Sequence, residues 1–261
     1  MVILEHPQIS LTHGLIDALL HNNTVLVTCD KRYMPAGILV PFEGNSLLSD
    51  RYKAQIEASL PLKKQLWQQT IKAKIINQAA VLENFKGDAQ PLRIMAAEVL
   101  SGDSGNVEGA AAKYYWSQLF NGAIEGFRRN RDGEEPNNAL NFTYAILRST
   151  VCRSLVGSGL LPALGIHHRN KYNAFALADD MMEPFRPVAD FLVVKLLIAG
   201  TDFAALTQPI KAQLLSIITT EVRIKSERSP LMLATQRTAA SLVAALEGKS
   251  RKLLLPEVIL P

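Results

Sequence analysis

Apolar residues recur at helical spacing through most of the chain from Arg51 onward. The clearest case is LPLKKQLWQQTIKAKIINQAAVLENF, which begins at Leu60 and predicts an amphipathic helix of about seven turns. Its apolar stripe comprises Leu62, Leu66, Ile71, Ile75, Ala79 and Leu82.

Three later segments have the same periodicity. NVEGAAAKYYWSQLFNGAIEGF follows the cap-rich SGDSGN, and ALNFTYAILRSTVCRSLVGSGLLPALG runs into a glycine-rich turn. In SPLMLATQRTAASLVAALEG the pattern predicts Ser229 as the N-cap, Pro230 as the first helical residue and Gly248 just past the end. Between the first two of these helices, FRRNRDGEEPNN predicts a loop that is basic and then acidic.

The start of the chain has a different pattern. MVIL, TVLVTC and AGILVPF predict strands, LTHGLIDALLHNN predicts a helix, and DKRYMP predicts a turn. We therefore expect an α+β protein in which residues 1–50 form a small β-containing domain and linker. Residues 51–261 then form a larger all-α domain.

Composition narrows the class of protein. Of the 261 residues, 48% are hydrophobic and 20% are charged, which is typical of a globular chain with a sizeable core. The net charge of +4 permits an anionic partner without requiring one. Cys29 and Cys152 lie too far apart to form a redox or metal motif, so a reducing compartment with two core thiols is expected.

The apolar runs also bear on location. The N-terminal residues lack a secretory signal, and the longest apolar run, DFLVVKLLIAG, is interrupted by Lys195 and is too short to span a bilayer. We therefore predict a cytoplasmic protein that has no association with a membrane.

An unusual acidic cluster lies in HHRNKYNAFALADDMMEPFRP, which begins at His167. It comprises Asp179, Asp180 and Glu183. Asp180 and Glu183 share one face of a helix, and Asp179 and Glu183 nearly do, so like charges repel there. A metal ion, a pair of basic residues or solvent could relieve that repulsion. The apolar neighbours on both sides favour partial burial, and a buried carboxylate needs a partner.

Glu108 and the His167–His168 pair are the other candidates for chemistry. Each has an ordinary structural explanation: an acid in the first turn of a helix compensates its dipole, and at most one of two adjacent histidines can point into a site. If Glu108, one histidine and the acidic pair converge, two carboxylates and an imidazole suit Mg²⁺ or Mn²⁺, although zinc or iron would also accept them.

Basic residues flank these acids. A charge run is usually a solvated face, but here the cations would suit an anionic substrate that approaches a metal. The set comprises Arg128, Arg129, Arg131, Arg169, Lys171 and Arg186.

In combination, several motifs resemble the integrase-nuclease of CRISPR adaptation, the universal CRISPR-associated protein one family, in the form found in type II systems. They are ISLTHGLIDALL, VTCDKRYMPAGILVP, WQQTIKAKIINQA, SGDSGNVEGAAAKYYW, NNALNFTYAILRS and GIHHRNKYNAFALADDMMEPFRP. The likeness covers most of the chain. It implies a metal-dependent DNA endonuclease and integrase that inserts new spacers into a CRISPR array, in antiviral defence.

The resemblance also implies which residues form the site. The family's metal ligands, which are also its catalytic residues, fall on Glu108, His168 and Glu183. His167 is the variable neighbour, and Asp180 is a supporting or alternate ligand one turn before Glu183. A divalent cation, Mg²⁺ or Mn²⁺, would then sit between the acids and a DNA phosphate, with the six basic residues holding the DNA backbone.

For assembly, the resemblance implies homodimers bridged by a small CRISPR-associated partner subunit. Family members usually begin with several more β-strands, and this chain enters their N-terminal β-domain part-way, so a truncated sequence or a natural loss of those strands is expected. In the implied reaction a DNA 3′-hydroxyl, or water in simple cleavage, attacks a phosphodiester. His168 would act as a neutral ligand, and activity would therefore fall in acid.

Other functions remain open from the residues alone. The same ligands could serve a metal-dependent hydrolase of small phosphate substrates. The chain could also be a DNA-binding helical subunit without catalysis, or a structural scaffold in which Glu108, His168 and Glu183 never meet.

Overall fold

The structure is a computed structural model that describes residues 2–4, 6–24, 26–29, 35–39, 41, 48–120, 124, 126–130 and 132–259. Its helices are α1 (His13–His21), α2 (Leu48–Glu57), α3 (Leu60–Asn84), α4 (Gln90–Glu98), α5 (Val107–Leu119), α6 (Asn137–Gly157), α7 (Ala176–Met182), α8 (Arg186–Ile198), α9 (Gln208–Leu215) and α10 (Leu231–Leu246). Its strands are β1 (Val2–Leu4), β2 (Leu26–Cys29), β3 (Pro35–Leu39), β4 (Glu221–Ile224), β5 (Glu227–Pro230) and β6 (Glu257–Val258). The predicted α+β class is confirmed.

The N-terminal strands form one three-stranded sheet in the order β1-β2-β3. β1 runs parallel to β2, and the helix between them, α1, makes the crossover that a parallel pair needs. β2 pairs with β3 in antiparallel register, Leu26 opposite Leu39. All three strands and α1 were predicted from the sequence.

The expectation of an all-α part after residue 50 is wrong. β4 and β5 form an antiparallel hairpin, and β6 pairs with the other edge of β4. Residues of β4 alternate between exposed and buried, with Val222 and Ile224 inside. This period of two is that of a half-buried strand, so a second small sheet lies among the helices.

Helix α3 is the axis of the larger part. It covers nearly the whole predicted range, and Ser59 caps its first turn by accepting the N–H of Leu62. Its buried face packs against α4, α5 and α8. This central position lets side chains of α3 reach residues that are distant in sequence.

Two predicted helix ends needed correction. α5 ends at Leu119 rather than continuing to Phe127. Ser229 and Pro230 belong to strand β5, so α10 begins one residue later, at Leu231, without a side-chain cap. Gly248 does lie just past the end of α10, with a φ of 74° that suits glycine.

Three further sequence expectations concern single features. Cys152 is buried, and burial raises the pKa of its thiol to about 12, as befits a core residue, whereas the side chain of Cys29 lies outside the described part. The predicted boundary between the two domains, after residue 50, falls inside α2. The division into two domains stays a prediction. Among the described residues, no helix is both long enough and apolar enough to cross a membrane.

Candidate functional site

Two of the predicted metal ligands meet on one cation. The Nζ of Lys74, on α3, lies 2.6 Å from Oε1 of Glu108 and 2.5 Å from Oε2 of Glu183. These carboxylates belong to α5 and to a short 3₁₀ helix, Glu183–Phe185, that follows α7. Side chains that are 75 residues apart in sequence are therefore brought to a common point.

The position of Glu108 is set by a tight turn before α5. Gly102 and Asp103 both have positive φ values, 72° and 50°. The carboxylate of Asp103 then accepts the N–H groups of Val107 and Glu108, at 2.9 and 3.0 Å. Asp103 satisfies two N–H groups that have no partner within the helix, and Glu108 is held in the first turn with its side chain toward α3.

Glu183 is buried, with only 6% of its side chain exposed, and two cations compensate it. The Nε of Arg186 donates to its Oε1 at 2.7 Å, while Lys74 approaches Oε2. Burial by itself would raise the pKa of this carboxyl, but Arg186 and Lys74 outweigh burial and lower it to about 2. Glu183 is therefore a permanent anion at neutral pH.

Lys74 is the buried partner of both acids. Burial lowers the pKa of its ammonium, but the charges of Glu183 and Glu108 outweigh burial, so the pKa lies above its ordinary value. The ammonium donates a hydrogen bond to Glu108 Oε1 at 2.6 Å and forms an ion pair with Glu183 Oε2 at 2.5 Å.

Asp180 has a different set of partners. Its Oδ2 accepts the backbone N–H groups of Ile166 and His167, at 2.7 and 2.9 Å. Its Oδ1 accepts the backbone N–H of His168 and contacts the ring Nδ1 of the same residue, at 3.2 and 2.5 Å. A single buried carboxylate thus fixes both the loop that precedes α7 and the orientation of one imidazole.

The two histidines have distinct roles. Hydrogen bonding to Asp180 raises the pKa of His168 against the opposing effect of burial. With Nδ1 held by Asp180, Nε2 is the nitrogen left for another partner, an arrangement common in metal-bound histidines. The ring of His167 instead stacks flat on Trp67, with centroids 4.1 Å apart.

Asp179, the first acid of the run, has partners of its own. Its Oδ2 accepts hydrogen bonds from Arg148, at 2.6 Å, and from Asn173, at 2.7 Å. The repulsion between the acids is relieved at Glu183 by a pair of basic residues, Lys74 and Arg186. At Asp180 it is relieved by backbone N–H groups and an imidazole.

A cavity of about 310 Å³ opens beside Glu183. It is lined by Lys74, Gln78, Ala112, Trp116, Arg129, Tyr144, Glu183, Arg186 and Asp190. The hydroxyls of Tyr115 and Tyr144 both donate to the buried carboxylate of Asp190, and burial raises the pKa of that carboxyl to about 6. The guanidinium of Arg186 lies over the Tyr144 ring, 4.6 Å from its centroid.

The basic residues predicted to bind DNA fall into two groups. Arg129 and Arg186 line the cavity, and Arg129 is held by Asn137 and Asn141. Arg128, Arg169 and Lys171 are exposed. Arg131 lies outside the described residues.

Whether the site suits a metal depends on its donors. Among the described residues, no three His, Cys, Asp or Glu side chains stand close enough together to hold a metal ion as they are now arranged. Glu108 and Glu183 nevertheless converge on one cation, the ammonium of Lys74, which lies 2.6 and 2.5 Å from their oxygens. Hard carboxylate oxygens of this kind fit Mg²⁺ or Mn²⁺, and the ligand set itself stays a prediction.

Sequence reasoning missed Lys74, Tyr144 and Asp190. Lys74 had a visible signal, because it lies between Ile71 and Ile75 on the apolar stripe of α3, where a lysine requires a buried anion. Asp190, between Ala189 and Phe191 on α8, had a similar one. The partners of these buried charges lie on other elements, and the spacing of residues along one helix does not predict them.

Comparison with known proteins places these features in a family. The family model described as CRISPR associated protein Cas1 matches residues 2–204. The chain is 40% identical to a CRISPR-associated endonuclease Cas1 of Neisseria meningitidis serogroup C, over 99% of this chain and 85% of that protein. It is 35% identical to a CRISPR-associated endonuclease Cas1 of Saccharolobus solfataricus, over 72% of this chain and 61% of that protein.

Solved structures share the fold at lower identity. A casposase bound to its integration product superposes with a TM-score of 0.77 at 22% identity, covering 94% of this chain and 77% of the casposase. A Cas6-RT-Cas1–Cas2 complex gives 0.76 at 19% identity, covering 99% of this chain and 32% of the matched chain. With a family model that spans more than three quarters of its length and a relative that matches almost all of it, the chain belongs to the Cas1 family of CRISPR-associated proteins.

Proposed function

We propose that this chain is a divalent-metal-dependent DNA endonuclease and integrase that inserts new spacers into a CRISPR array. A DNA 3′-hydroxyl would attack a phosphodiester, or water would do so in simple cleavage. The observation that carries the proposal is the convergence of Glu108 and Glu183 on a single cation beside a basic cavity, in a member of a family whose relatives are named endonucleases.

The proposed metal ligands, and hence the catalytic residues, are Glu108, His168 and Glu183. Bound Mg²⁺ or Mn²⁺ would polarise the scissile phosphate and stabilise its developing charge. Asp180 supports the set by holding Nδ1 of His168. The proton of the neutral ring would then stay on Nδ1, and Nε2 would be free to donate its lone pair to the metal. The lowered pKa of Glu183 keeps that carboxylate ionised, as metal binding requires.

The cations around the site would bind the DNA backbone. Arg129 and Arg186 line the cavity next to Glu183, where a phosphate would meet two guanidinium groups. Arg169 and Lys171 are exposed on the loop between His168 and α7, and Arg128 and Arg131 precede α6. Such contacts position DNA without reading its sequence.

We further propose that the protein works in the cytoplasm as homodimers bridged by a small Cas2-type subunit. The support is the likeness in fold to Cas1 chains that were solved in complexes with Cas2, and to a casposase bound to its integration product. Binding to DNA and to that partner would use surfaces that the isolated chain leaves exposed.

The test is a strand-transfer and nicking assay on branched DNA with Mg²⁺, Mn²⁺ or chelator. We expect activity to need metal and to fall by at least about 100-fold in Glu108→Gln, His168→Asn and Glu183→Gln, since each loses a proposed ligand. Glu98→Gln, an exposed glutamate on α4, is the matched control. Metal-dependent hydrolysis of small phosphate esters without strand transfer would favour a phosphohydrolase instead.

A further inference from the structure

Lys74 has an environment that is hard to explain as ordinary packing. Its side chain is only 10% exposed, and its ammonium lies within 2.6 Å of an oxygen of each of two glutamates. Those glutamates are the two carboxylate ligands in the proposed metal set. The ammonium therefore occupies the point at which Glu108 and Glu183 converge.

Charge shows why Lys74 and a metal exclude each other. The carboxylates of Glu108 and Glu183 are balanced by the cations of Lys74 and Arg186, so the cluster is neutral as it stands. A divalent ion added to this partly buried cluster would give it two positive charges in excess. Like charges at contact distance in a poorly solvated site are strongly unfavourable, so one of the two resident cations has to leave.

Lys74 is the cation that is able to leave. Arg186 is fixed by its 2.7 Å hydrogen bond to Glu183 Oε1 and by the Tyr144 ring beneath its guanidinium. Lys74 donates a hydrogen bond to Glu108 Oε1 at 2.6 Å and pairs with Glu183 Oε2 at 2.5 Å. Within the described part of the chain, however, no aromatic ring packs its ammonium in place, and it ends a flexible four-carbon stem.

The adjoining cavity offers the displaced ammonium a place. Lys74 and Gln78 both line it, and residues four apart on a helix are neighbours on one face. The side-chain oxygen Oε1 of Gln78 is buried and has no hydrogen-bond partner. An ammonium that swings away from the carboxylates would find an unused acceptor one turn further along α3.

We propose that Lys74 is a built-in counter-cation of the metal site. It holds Glu108 and Glu183 together in the metal-free protein, and it moves into the cavity toward Gln78 when a divalent ion binds between the carboxylates. The proposal rests on the proposed function, because it takes Glu108 and Glu183 as metal ligands.

The displaced lysine has a second consequence. In the cavity, its ammonium joins Arg129 and Arg186, which raises the positive charge available to a DNA phosphate. Bound phosphate would in turn stabilise the displaced position of Lys74, so metal and DNA should each strengthen the binding of the other. Metal binding without DNA should be correspondingly weak.

The test is calorimetric titration of the full chain with Mn²⁺ in the absence of DNA. Lys74→Gln should bind Mn²⁺ at least about tenfold more tightly than the wild type, because no ammonium has to be displaced. A tenfold change in affinity corresponds to about 1.4 kcal/mol of binding free energy. Lys72→Gln, an exposed lysine on the same helix, should bind like the wild type, and Glu183→Gln should lose binding. Equal or weaker binding by Lys74→Gln would overturn the proposal.

The same titration separates this proposal from the proposed function. If Glu183→Gln binds Mn²⁺ as the wild type does, the metal site itself is wrongly placed, whatever Lys74→Gln does. Should Lys74→Gln fail to fold, the wild type can be followed instead, through the ¹⁵N signal of the Lys74 ammonium during titration with Mg²⁺. A signal that changes on saturation is expected, and an unchanged signal would overturn the proposal.

Discussion

Each carboxylate of the acidic cluster is satisfied by its own partners. Asp179 pairs with Arg148, Asp180 with backbone N–H groups and His168, and Glu183 with Arg186 and Lys74. Buried charge is tolerated when it is paired and hydrogen-bonded. The repulsion expected between neighbouring acids is thus relieved separately at each residue.

Asp180 should contribute strongly to stability. Asp180→Ala leaves the N–H groups of Ile166, His167 and His168 without their acceptor, and we expect a loss of about 2–4 kcal/mol in the free energy of unfolding. Urea denaturation followed by circular dichroism measures it. Asp202→Ala, which removes one exposed bond to the N–H of Ala204, should cost less than about 1 kcal/mol; equal losses would contradict the role of Asp180.

Asp190 should make stability depend on pH. Its pKa is about 6 in the folded protein and 3.8 in its ordinary state, so the folded state binds the extra proton between these values. Stability from this group is therefore complete below pH 4 and falls as the pH rises through about 6. The cost of ionisation at neutral pH is at most about 3 kcal/mol.

Asp190→Asn should remove this dependence while keeping an acceptor for Tyr115 and Tyr144. Urea denaturation of both proteins across pH 4 to 8 tests it. We expect the variant to gain stability relative to the wild type as the pH rises through 6. A difference that stays constant with pH would show that Asp190 does not titrate in this range.

Single residues were predictable to different degrees. Glu108, His168 and Glu183 could be named from motifs, and the structure brings the two glutamates to one point. Lys74 could not be placed beside them, because its role depends on the approach of α5 and the 3₁₀ helix to α3 rather than on spacing within a helix.

At the scale of elements, the loop before α7 packs closely at Gly165, where its backbone lies against the backbone of His168 and the side chain of Asp180. A Cβ on Gly165 would lie 2.4 Å from the carbonyl oxygen of His168 and 2.8 Å from Oδ2 of Asp180. Only glycine fits there without moving the loop. The loop, the acid and the imidazole are therefore one packed unit.

Gly165→Ala should disturb that unit. We expect a loss of about 1–3 kcal/mol in the free energy of unfolding, with a displaced ring signal of His168 in the NMR spectrum. Gly157→Ala is the matched control, because nothing lies within 4 Å of a Cβ at the end of α6. That variant should be neutral or slightly stabilised, and similar losses in the two would contradict the close packing at Gly165.

Long elements were easier to predict than short ones. Helix α3 was clear because apolar residues recur at helical spacing from Leu62 to Leu82 within a helix of twenty-five residues. The hairpin of β4 and β5 was missed, since four alternating residues such as EVRI carry little signal beside flanking helical runs. Ser229 and Pro230 resemble a helix start, but pairing with β4 keeps both residues in a strand.

At the scale of the whole molecule, the exposed cations should govern DNA affinity. Arg169→Ala with Lys171→Ala removes two proposed phosphate contacts. We expect affinity for DNA to fall at every sequence, and the slope of log affinity against log salt to decrease by about 2. Fluorescence anisotropy at several salt concentrations measures both.

The control for this experiment is the double variant Arg251→Ala with Lys252→Ala, which removes two exposed charges near the end of the chain. It changes net charge equally and should leave the slope almost unchanged. If both pairs lower the slope alike, the effect comes from net charge, and the loop after His168 is not a DNA contact.

The overall architecture followed from periodicity, but its details required tertiary contacts. An α+β chain with an N-terminal sheet and a large helical part was predictable. The second sheet was not, because β6 reaches β4 from more than thirty residues away, and no local pattern encodes such a pairing.

The most direct measurement of the central claim is anomalous diffraction from crystals of the protein grown with Mn²⁺. We expect one manganese peak bonded to Glu108, His168 and Glu183, with the Lys74 ammonium moved toward Gln78. A peak at any other set of residues, or Lys74 still between the two glutamates in crystals saturated with Mn²⁺, would contradict the account.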